Sequence, residues 1–322
     1  VTDTFTITVT ETDSSATDTM TVTITVTGAD DAVDAGSAQT GAVTEDASTS
    51  TATGSVSATD ADADAAFTYS GDATGTYGAI AVDSAGAWTY TLSNTDADTD
   101  ALAHDGSGTD TFTLTVSDGT SSDTMDVVIT VSGANDAPTV ANALSADSTD
   151  EDAPYTKDVS GMCTDVDSGD SLSYTLSGVG IPQMTLLPSG AMSSTPDNDD
   201  VGAHTITVTC TDGSSATASD QYVLTVTNVN DAPTVTSAIS DVSHAEDAAY
   251  SLDVAGTCTD VDSGDSLTYT ISGAPSTITI SGTTISGTPV NANVGAHTIT
   301  VTCTDGSSAT ASDQYVLTVT NV

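Results

Sequence analysis

The string VGAHTITVTCTDGSSATASDQYVLTVTNV stands twice in this chain without a single difference, from Val201 to Val229 and from Val294 to Val322. Its surroundings repeat as well: NDAPTV begins at Asn135 and Asn230, and CTDVDSGDSL at Cys163 and Cys258. A period of roughly 95 residues restricts the architecture severely. Units of about 20 to 50 residues must stack into a solenoid to bury a core, whereas a unit of this length closes one alone. The repeat therefore predicts separate domains in series rather than one globular enzyme.

The domains read as all-β. From His204 to Cys210, Ile206, Val208 and Cys210 alternate with threonines, and Phe112, Leu114 and Val116 do the same, the pattern of half-buried strands. Threonine takes the outer positions, keeping β propensity high without charge. Strands are expected near 54–59, 67–70, 77–83, 87–92, 111–117 and 124–131, with Gly, Asp and Ser turns between them. No helical periodicity occurs, so each unit reads as a β-sandwich. Residues 34–137, 138–232 and 233–322 form three such units. Residues 1–33 repeat the end of the first one, DTFTITVTETD at Asp3 matching DTFTLTVSDGT at Asp110, and read as a C-terminal hairpin lacking its domain. Three sandwiches end to end reach on the order of 100 Å, an elongated array.

Composition narrows the partners. The chain has 46 acidic residues against one basic residue, Lys157, and only Glu11, Glu45, Glu151 and Glu246 among the acids are glutamates. A net charge of -45 excludes attraction to nucleic acid or anionic lipid, and the natural partner is a cation. Such acidity also suits a disordered chain, which the strand periodicity opposes. Halophilic surface coating is a second alternative, left open by Asp96, Asp98, Asp100 and the run from Asp197 to Asp200. No stretch approaches the ~20 apolar residues of a membrane span, and no signal peptide is present, so the chain is expected to be a segment of a longer precursor.

The four cysteines fall two to a repeat, Cys163 with Cys210 and Cys258 with Cys303, each in phase with inward-facing apolar residues. A bridge closing a loop of about 46 residues stabilises by roughly 4 kcal/mol in the chain-entropy model and implies an oxidising compartment. Buried free thiols are the alternative; zinc lacks CxxC-type spacing.

The first unit, with ATDADADAAFTYS, GTYGAIAVDSAGAWTYTL, ALAHDGSGTDTFTLTVSDG and ITVSGANDAP, resembles a VCBS repeat. The second and third, with STDEDAPY or HAEDAAY, CTDVDSGDSL and NDAP, resemble dystroglycan-type cadherin-like domains. The resemblance implies tandem immunoglobulin/cadherin-like sandwiches of a large prokaryotic surface or secreted adhesin, with calcium at the junctions. The cysteine pair is not part of the general pattern, and the first unit carries Ala58 and Val116 at those places.

Calcium takes about six to eight oxygens from carboxylates and carbonyls. At the first junction the candidates are Asp30, Asp31, Asp60, Asp62 and Asp118. At the second they are Asn135, Asp136, Asp165, Asp167 and Asp212, with Glu45 reaching down from the preceding domain by analogy with the cadherin arrangement. At the third they are Asn230, Asp231, Asp260, Asp262 and Asp305, with Glu151 as the equivalent glutamate. DVDSGD is not an EF-hand, since its Gly comes one position early and no Glu follows at the required distance; the bland alternative is that these Asp and Gly residues only make turns.

Nothing in the sequence resembles an active site: there is no phosphate loop and no GxSxG elbow. His204 and His297 read as strand-start residues, Lys157 as a surface or strand-edge lysine and Trp88 as core. The expectation is a non-enzymatic, calcium-stiffened extracellular spacer or filament segment whose partners are calcium and neighbouring copies or domains. One alternative is a module binding glycans or a cell-surface protein. Another is a filament subunit that polymerises by strand complementation through residues 1–33.

Overall fold

A computed structural model of the chain describes residues 1–62 and 65–322. Regular structure there is almost entirely strand; the helical pieces are a four-residue turn, Ala97–Asp100, and two 3-10 turns, Asn198–Asp200 and Asn291–Asn293. The chain divides into two compact units. The first comprises Val1–Thr139, Cys163–Leu172 and Thr211–Ala218; the second comprises Val140–Met162, Ser173–Cys210 and Ser219–Val322.

The first unit opens on an antiparallel hairpin, β1 (Thr2–Thr10) and β2 (Thr17–Thr25). A two-sheet sandwich follows, made of β3 (Gln39–Thr44), β4 (Thr51–Ser55), β5 (Thr68–Ser70), β6 (Ala73–Thr74), β7 (Gly78–Val82), β8 (Ala87–Leu92), β9 (Ser107–Ser117) and β10 (Ser122–Ser132). One sheet runs β3-β10-β9-β5 and the other β4-β8-β7-β6. The period-2 pattern does what it predicts: Phe112, Leu114 and Val116 of β9 and Met125, Val127, Ile129 and Val131 of β10 are buried against Ile80, Trp88, Tyr90 and Leu92. Each such side chain contributes about 1.5–3 kcal/mol on full burial.

β3 was not among the expected strands. Its partner is β10, which it joins in parallel with Gln39 opposite Val127, so its hydrogen bonds come from far along the chain and its own sequence shows little alternation. Gly41 sits there because a Cβ would meet the side chains of Ile129 and Ala52. Asp110 of β9 is a buried carboxylate with a structural task. Its Oδ1 accepts the N–H of Thr76 at 2.8 Å, and its Oδ2 accepts those of Tyr77 and Gly78 at 3.1 Å and the Tyr90 hydroxyl at 2.9 Å.

The second unit repeats the plan. In its C-terminal half, one sheet orders Val242–Ala245, Thr310–Thr320, Gly295–Thr304 and Thr268–Ser272, and the other orders Tyr250–Asp253, Thr284–Gly287 and Ile278–Ser281. The short first strand is again parallel to the last, Val242 lying opposite Leu317, as Asp147 lies opposite Leu224 in the sheet before it. Ile285, Ile299, Val301, Tyr315 and Leu317 fill the core. Cys258 and Cys303 form a disulfide with Cα atoms 6.5 Å apart, both side chains buried; Cys163 and Cys210 are each disulfide-bonded too, and among the described residues no cysteine is free.

Lys157 is the strand-edge lysine the sequence suggests, on the edge strand Tyr155–Asp158, but it is not a plain surface side chain: it is 17% exposed, with Nζ 3.2 Å from Asp147 Oδ2 and 4.6 Å from the centre of the Tyr222 ring. In the run from Asp197 to Asp200, Asp197 and Asp199 are exposed, but two of the acids also serve the local structure. Asp197 caps the turn Asn198–Asp200 by accepting the N–H of Asp199, and Asp200 is buried, its carboxylate accepting the N–H of Asp197. Trp88 is core, 1% exposed, its Nε1–H donating to Gln39 Oε1 at 2.8 Å.

Candidate metal centres

A buried glutamate pins the chain as it leaves each sandwich. The N–H of Glu45 donates to Ser132 O at 3.0 Å, at the end of the β3–β10 ladder, and its Oε1 accepts the N–H of Ala134 at 2.6 Å. Glu151 repeats this with Thr227 O at 3.0 Å and the N–H of Val229 at 2.7 Å, and Glu246 with Thr320 O at 3.0 Å and the N–H of Val322 at 3.2 Å. In all three the second oxygen, Oε2, is buried without a hydrogen-bond partner. The next residue, Asp46, Asp152 or Asp247, has φ of 51°, 55° or 62°, a left-handed step that aspartate tolerates better than most side chains. Glu246 was not among the sequence candidates.

The CTDVDSGD loop supplies the facing carboxylates. In the second unit, Asp260 Oδ1 accepts the N–H of Asp262 at 3.0 Å, and Asp262 Oδ2 accepts that of Asp231 at 2.8 Å. The Asn230 amide donates to Asp231 O at 2.7 Å and to Asp305 Oδ2 at 3.0 Å, while Asp305 Oδ1 takes the N–H groups of Ser307 and Ala309. Two groups result, Glu151 with Asp231 and Asp262, and Asp260 with Asp265 and Asp305, the candidate ligand oxygens of each lying within 4.8 Å of one another.

The first unit builds the same pair: Glu45 with Asp136 and Asp167, and Asp165 with Asp170 and Asp212. Asp165 Oδ1 accepts the N–H of Asp167 at 3.0 Å, Asp167 Oδ2 that of Asp136 at 2.9 Å, and the Asn135 amide donates to Asp212 Oδ2 at 3.0 Å. Asp170 and Asp265 are the members of these groups that sequence reasoning missed. The signal was the last Asp of DVDSGD, set aside with the EF-hand comparison; Gly169 and Gly264, at φ of 93° and 96°, precede them at the turn.

The two pairs differ in charge balance. In the second unit Asn228 donates to Asp262 Oδ1 at 2.8 Å and Asn198 to Asp231 Oδ2 at 2.6 Å. In the first unit Gly133 stands at the position of Asn228 in the repeat, and Asp167 Oδ1 is buried without a partner. Burial, then the neighbouring carboxylates, raises the carboxyls of Glu45, Asp136 and Asp167 above their ordinary range. At Asp212 burial pushes upward, but the Asn135 amide and turn N–H groups outweigh it and lower the carboxyl; at Asp305 the Asn230 amide leads the lowering.

The candidates nearest the hairpin are also brought together. Asp30, Asp60, Asp62 and Asp118 line a cleft of about 270 Å³, and Asp31 donates its N–H to Asp62 Oδ2 at 3.0 Å. Hydrogen bonds from Ser121 and Thr120 lower Asp118 to about 2, whereas burial and the field of Asp118 raise Asp30. No glutamate joins this group among the described residues.

The donor set fits a hard divalent cation. The unpartnered buried atoms include Oε2 of Glu45 and Glu151, Oδ2 of Asp60, Asp165, Asp170 and Asp260, Oδ1 of Asp167 and Oδ1 of Asn135, all at the positions just described. An unpaired buried charged oxygen is strongly unfavourable. The chain's one Lys or Arg side chain, that of Lys157, is engaged with Asp147, so no fixed cation of this kind is left for these groups. Every donor is oxygen; thiolate and imidazole, which suit zinc and copper, are missing from all four groups.

Comparison with known proteins agrees with the fold. Residues 29–133 match the family profile described as bacterial cadherin-like domain, residues 135–225 that of a bacterial Ig domain, and residues 232–320 one described as "Putative Ig domain". Mouse cadherin-23 EC22-24 superposes with a TM-score of 0.58 at 20% identity, over 91% of this chain and 100% of that one. The protocadherin gammaB4 extracellular domain gives 0.58 at 20% identity, over 99% and 54%. At such identities the likeness is one of fold. A curated relative, the serine-rich adhesin for platelets of Staphylococcus aureus strain MRSA252, is 32% identical over 145 residues, which is 42% of this chain and 10% of that protein. The same adhesin of strain MW2 is matched over 6% of its length, so the chain spans a tenth or less of these relatives. The chain is a tandem of bacterial cadherin-like and bacterial immunoglobulin-type β-sandwich domains.

Proposed function

We propose that this chain is a calcium-stiffened spacer segment of a large extracellular or cell-surface protein of the adhesin type. Its sandwiches are residues 34–137, 138–232 and 233–322, and the finer kinship to VCBS repeats and dystroglycan-type domains belongs to the same reading. The observation that carries it is the repeated pair of carboxylate groups at the linker, with their unpartnered buried oxygens.

Glu151, Asp231 and Asp262 would hold one calcium ion, and Asp260, Asp265 and Asp305 a second; Glu45, Asp136, Asp167, Asp165, Asp170 and Asp212 are their equivalents. A bound calcium supplies positive charge and oxygen coordination. The protein's part is positional. The buried glutamate ties the closing strand to the linker, the Asn230 amide ties the linker to the Asp305 turn, and Asp262 ties it to the aspartate loop. Without a cation these carboxylates repel and the linker is free to swing. Disulfides suit the oxidising exterior, and a chain with one Lys or Arg offers trypsin-like proteases little to cut.

Small-angle scattering in calcium and in EDTA tests this reading. Calcium should give a stiffer particle with a longer maximum dimension, and superimposable profiles would sink it. A second reading, an adhesive module binding glycans or a cell-surface protein, draws on the likeness to the staphylococcal adhesin. Glycan-array binding that survives Asp262→Asn and Asp167→Asn would favour it.

A further inference from the structure

The hairpin β1–β2 carries an apolar face left exposed among the described residues. Phe5, Ile7 and Val9 of β1 and Met20 and Ile24 of β2 are 48–66% exposed, and Asp3, Phe5, Ile7 and Val9 lie opposite Ile24, Val22, Met20 and Asp18. The other face is a ladder of threonines, with Thr2, Thr4, Thr6, Thr8 and Thr10 opposite Thr25, Thr23, Thr21, Thr19 and Thr17. One face is built to be buried and the other to meet water.

The same chain shows what buries such a face. Phe5, Ile7 and Val9 correspond in sequence to Phe112, Leu114 and Val116, and Met20, Val22, Ile24 and Val26 to Met125, Val127, Ile129 and Val131. In β9–β10 every one of these is at most 4% exposed, covered by Ile80, Trp88, Tyr90 and Leu92. The polar anchors correspond as well. Asp3 matches Asp110, whose carboxylate collects three successive N–H groups from Thr76, Tyr77 and Gly78 together with the Tyr90 hydroxyl. Asp18 matches Asp123, which accepts the N–H of Ala35 at 2.9 Å. Asp3, by contrast, is exposed.

We infer that the apolar face of β1–β2 is a docking surface for one occupant, a sandwich half of the kind formed by residues 34–106. That occupant must supply a strand parallel to β2, as β3 is to β10, and a short strand antiparallel to β1, as β5 is to β9. It must also bring an aromatic pair equivalent to Trp88 and Tyr90. Finally it must bring a Gly-x-x-Gly turn equivalent to Gly75–Gly78, because a Cβ at Gly75 would strike the Asp110 carboxylate and one at Gly78 the Tyr90 ring. A second folded copy of this chain does not qualify, since its own residues 34–106 are already covered by its own β9–β10. The inference is independent of calcium.

The test compares the chain as it is with one carrying an additional copy of residues 34–106 joined ahead of Val1, each in calcium and in EDTA. Hydrogen exchange over residues 2–10 and 17–25 is read by mass spectrometry, and peroxide oxidation of Met20 is read against Met125. The original chain should exchange these amides fast and oxidise Met20 well before Met125. The extended chain should slow both by at least about 100-fold, the difference between a locally open and a globally protected segment. A copy carrying Trp88→Ala and Tyr90→Ala should lose the protection. The inference is overturned if the hairpin stays unprotected while circular dichroism shows the added copy folded into strand. Protection in the original chain that rises with its concentration would also overturn it, identifying a second copy as the occupant.

Discussion

Asp262→Asn separates a carboxylate that serves a cation from one that only makes a turn. The ligand oxygens of Asp262, Glu151 and Asp231 lie within 4.8 Å of one another. Two unit charges at that distance repel by about 0.9 kcal/mol in water's dielectric and by about 3.5 kcal/mol at an effective constant near 20. Removing the charge of Asp262 abolishes two such repulsions, a gain of at least about 1.7 kcal/mol in the calcium-free protein. Asp262 also accepts two hydrogen bonds, from the Asp231 N–H and the Asn228 amide. An asparagine keeps one acceptor, so about 1–2 kcal/mol is lost in return. In EDTA the variant should therefore melt within a few degrees of the parent, or slightly above it. In calcium the order reverses. A site filled at about 10 to 100 times its dissociation constant stabilises by ~1.4–2.7 kcal/mol, which for a sandwich of this size shifts its transition by roughly 6–20 °C. Differential scanning calorimetry in EDTA and at about 10 mM calcium, well above the 10⁻⁴ to 10⁻³ M affinity of extracellular modules, should show that shift in the parent and lose most of it in Asp262→Asn. If the variant is destabilised equally in both conditions, Asp262 is a turn residue and the cation reasoning fails.

Three further outcomes follow from the same geometry. Burial holds Glu45, Asp136 and Asp167 above the ordinary carboxyl range, so these groups bind protons more tightly folded than unfolded. In EDTA, stability should rise as pH falls from 7 through their raised values towards about 4, where the unfolded carboxyls also titrate and Asp118 and Asp212 begin to act in the opposite sense; thermal melts that fall monotonically over that window would contradict this. Replacing Cys258 and Cys303 together by Ala opens a link between residues 45 apart and should lower the stability of the last sandwich by about 2–4 kcal/mol in urea unfolding, with no change in the calcium shift. Asp110→Ala strands the N–H groups of Thr76, Tyr77 and Gly78 and should destabilise the first sandwich by about 3–5 kcal/mol, whereas Asp3→Ala in the hairpin should change almost nothing in the chain as it stands.

The strand alternation and the repeat were enough to read the sandwiches, because a face buried on one side writes its period into the chain. Where a strand takes its identity from its neighbour, as β3 does from β10, the local pattern carried little. The acidic groups gathered at the linkers were legible as well, since Asp165, Asp167, Asp212 and their copies recur at fixed distances from NDAP. Asp170 and Asp265 were not, because a left-handed glycine turn, invisible as geometry in the sequence, puts a residue that reads as turn filler beside two other carboxylates.

The sequence alone determined that this protein is a repeated, all-β, strongly acidic chain with paired cysteines, because composition and periodicity are properties of the chain itself. Tertiary structure decided which carboxylates share a site and which stand alone. It also separated the buried Asp110 from the exposed Asp3, although the two occupy the same place in nearly the same sequence. Electrostatic repulsion and desolvation depend on distances of a few ångströms between segments that lie far apart along the chain, and only folding sets those distances.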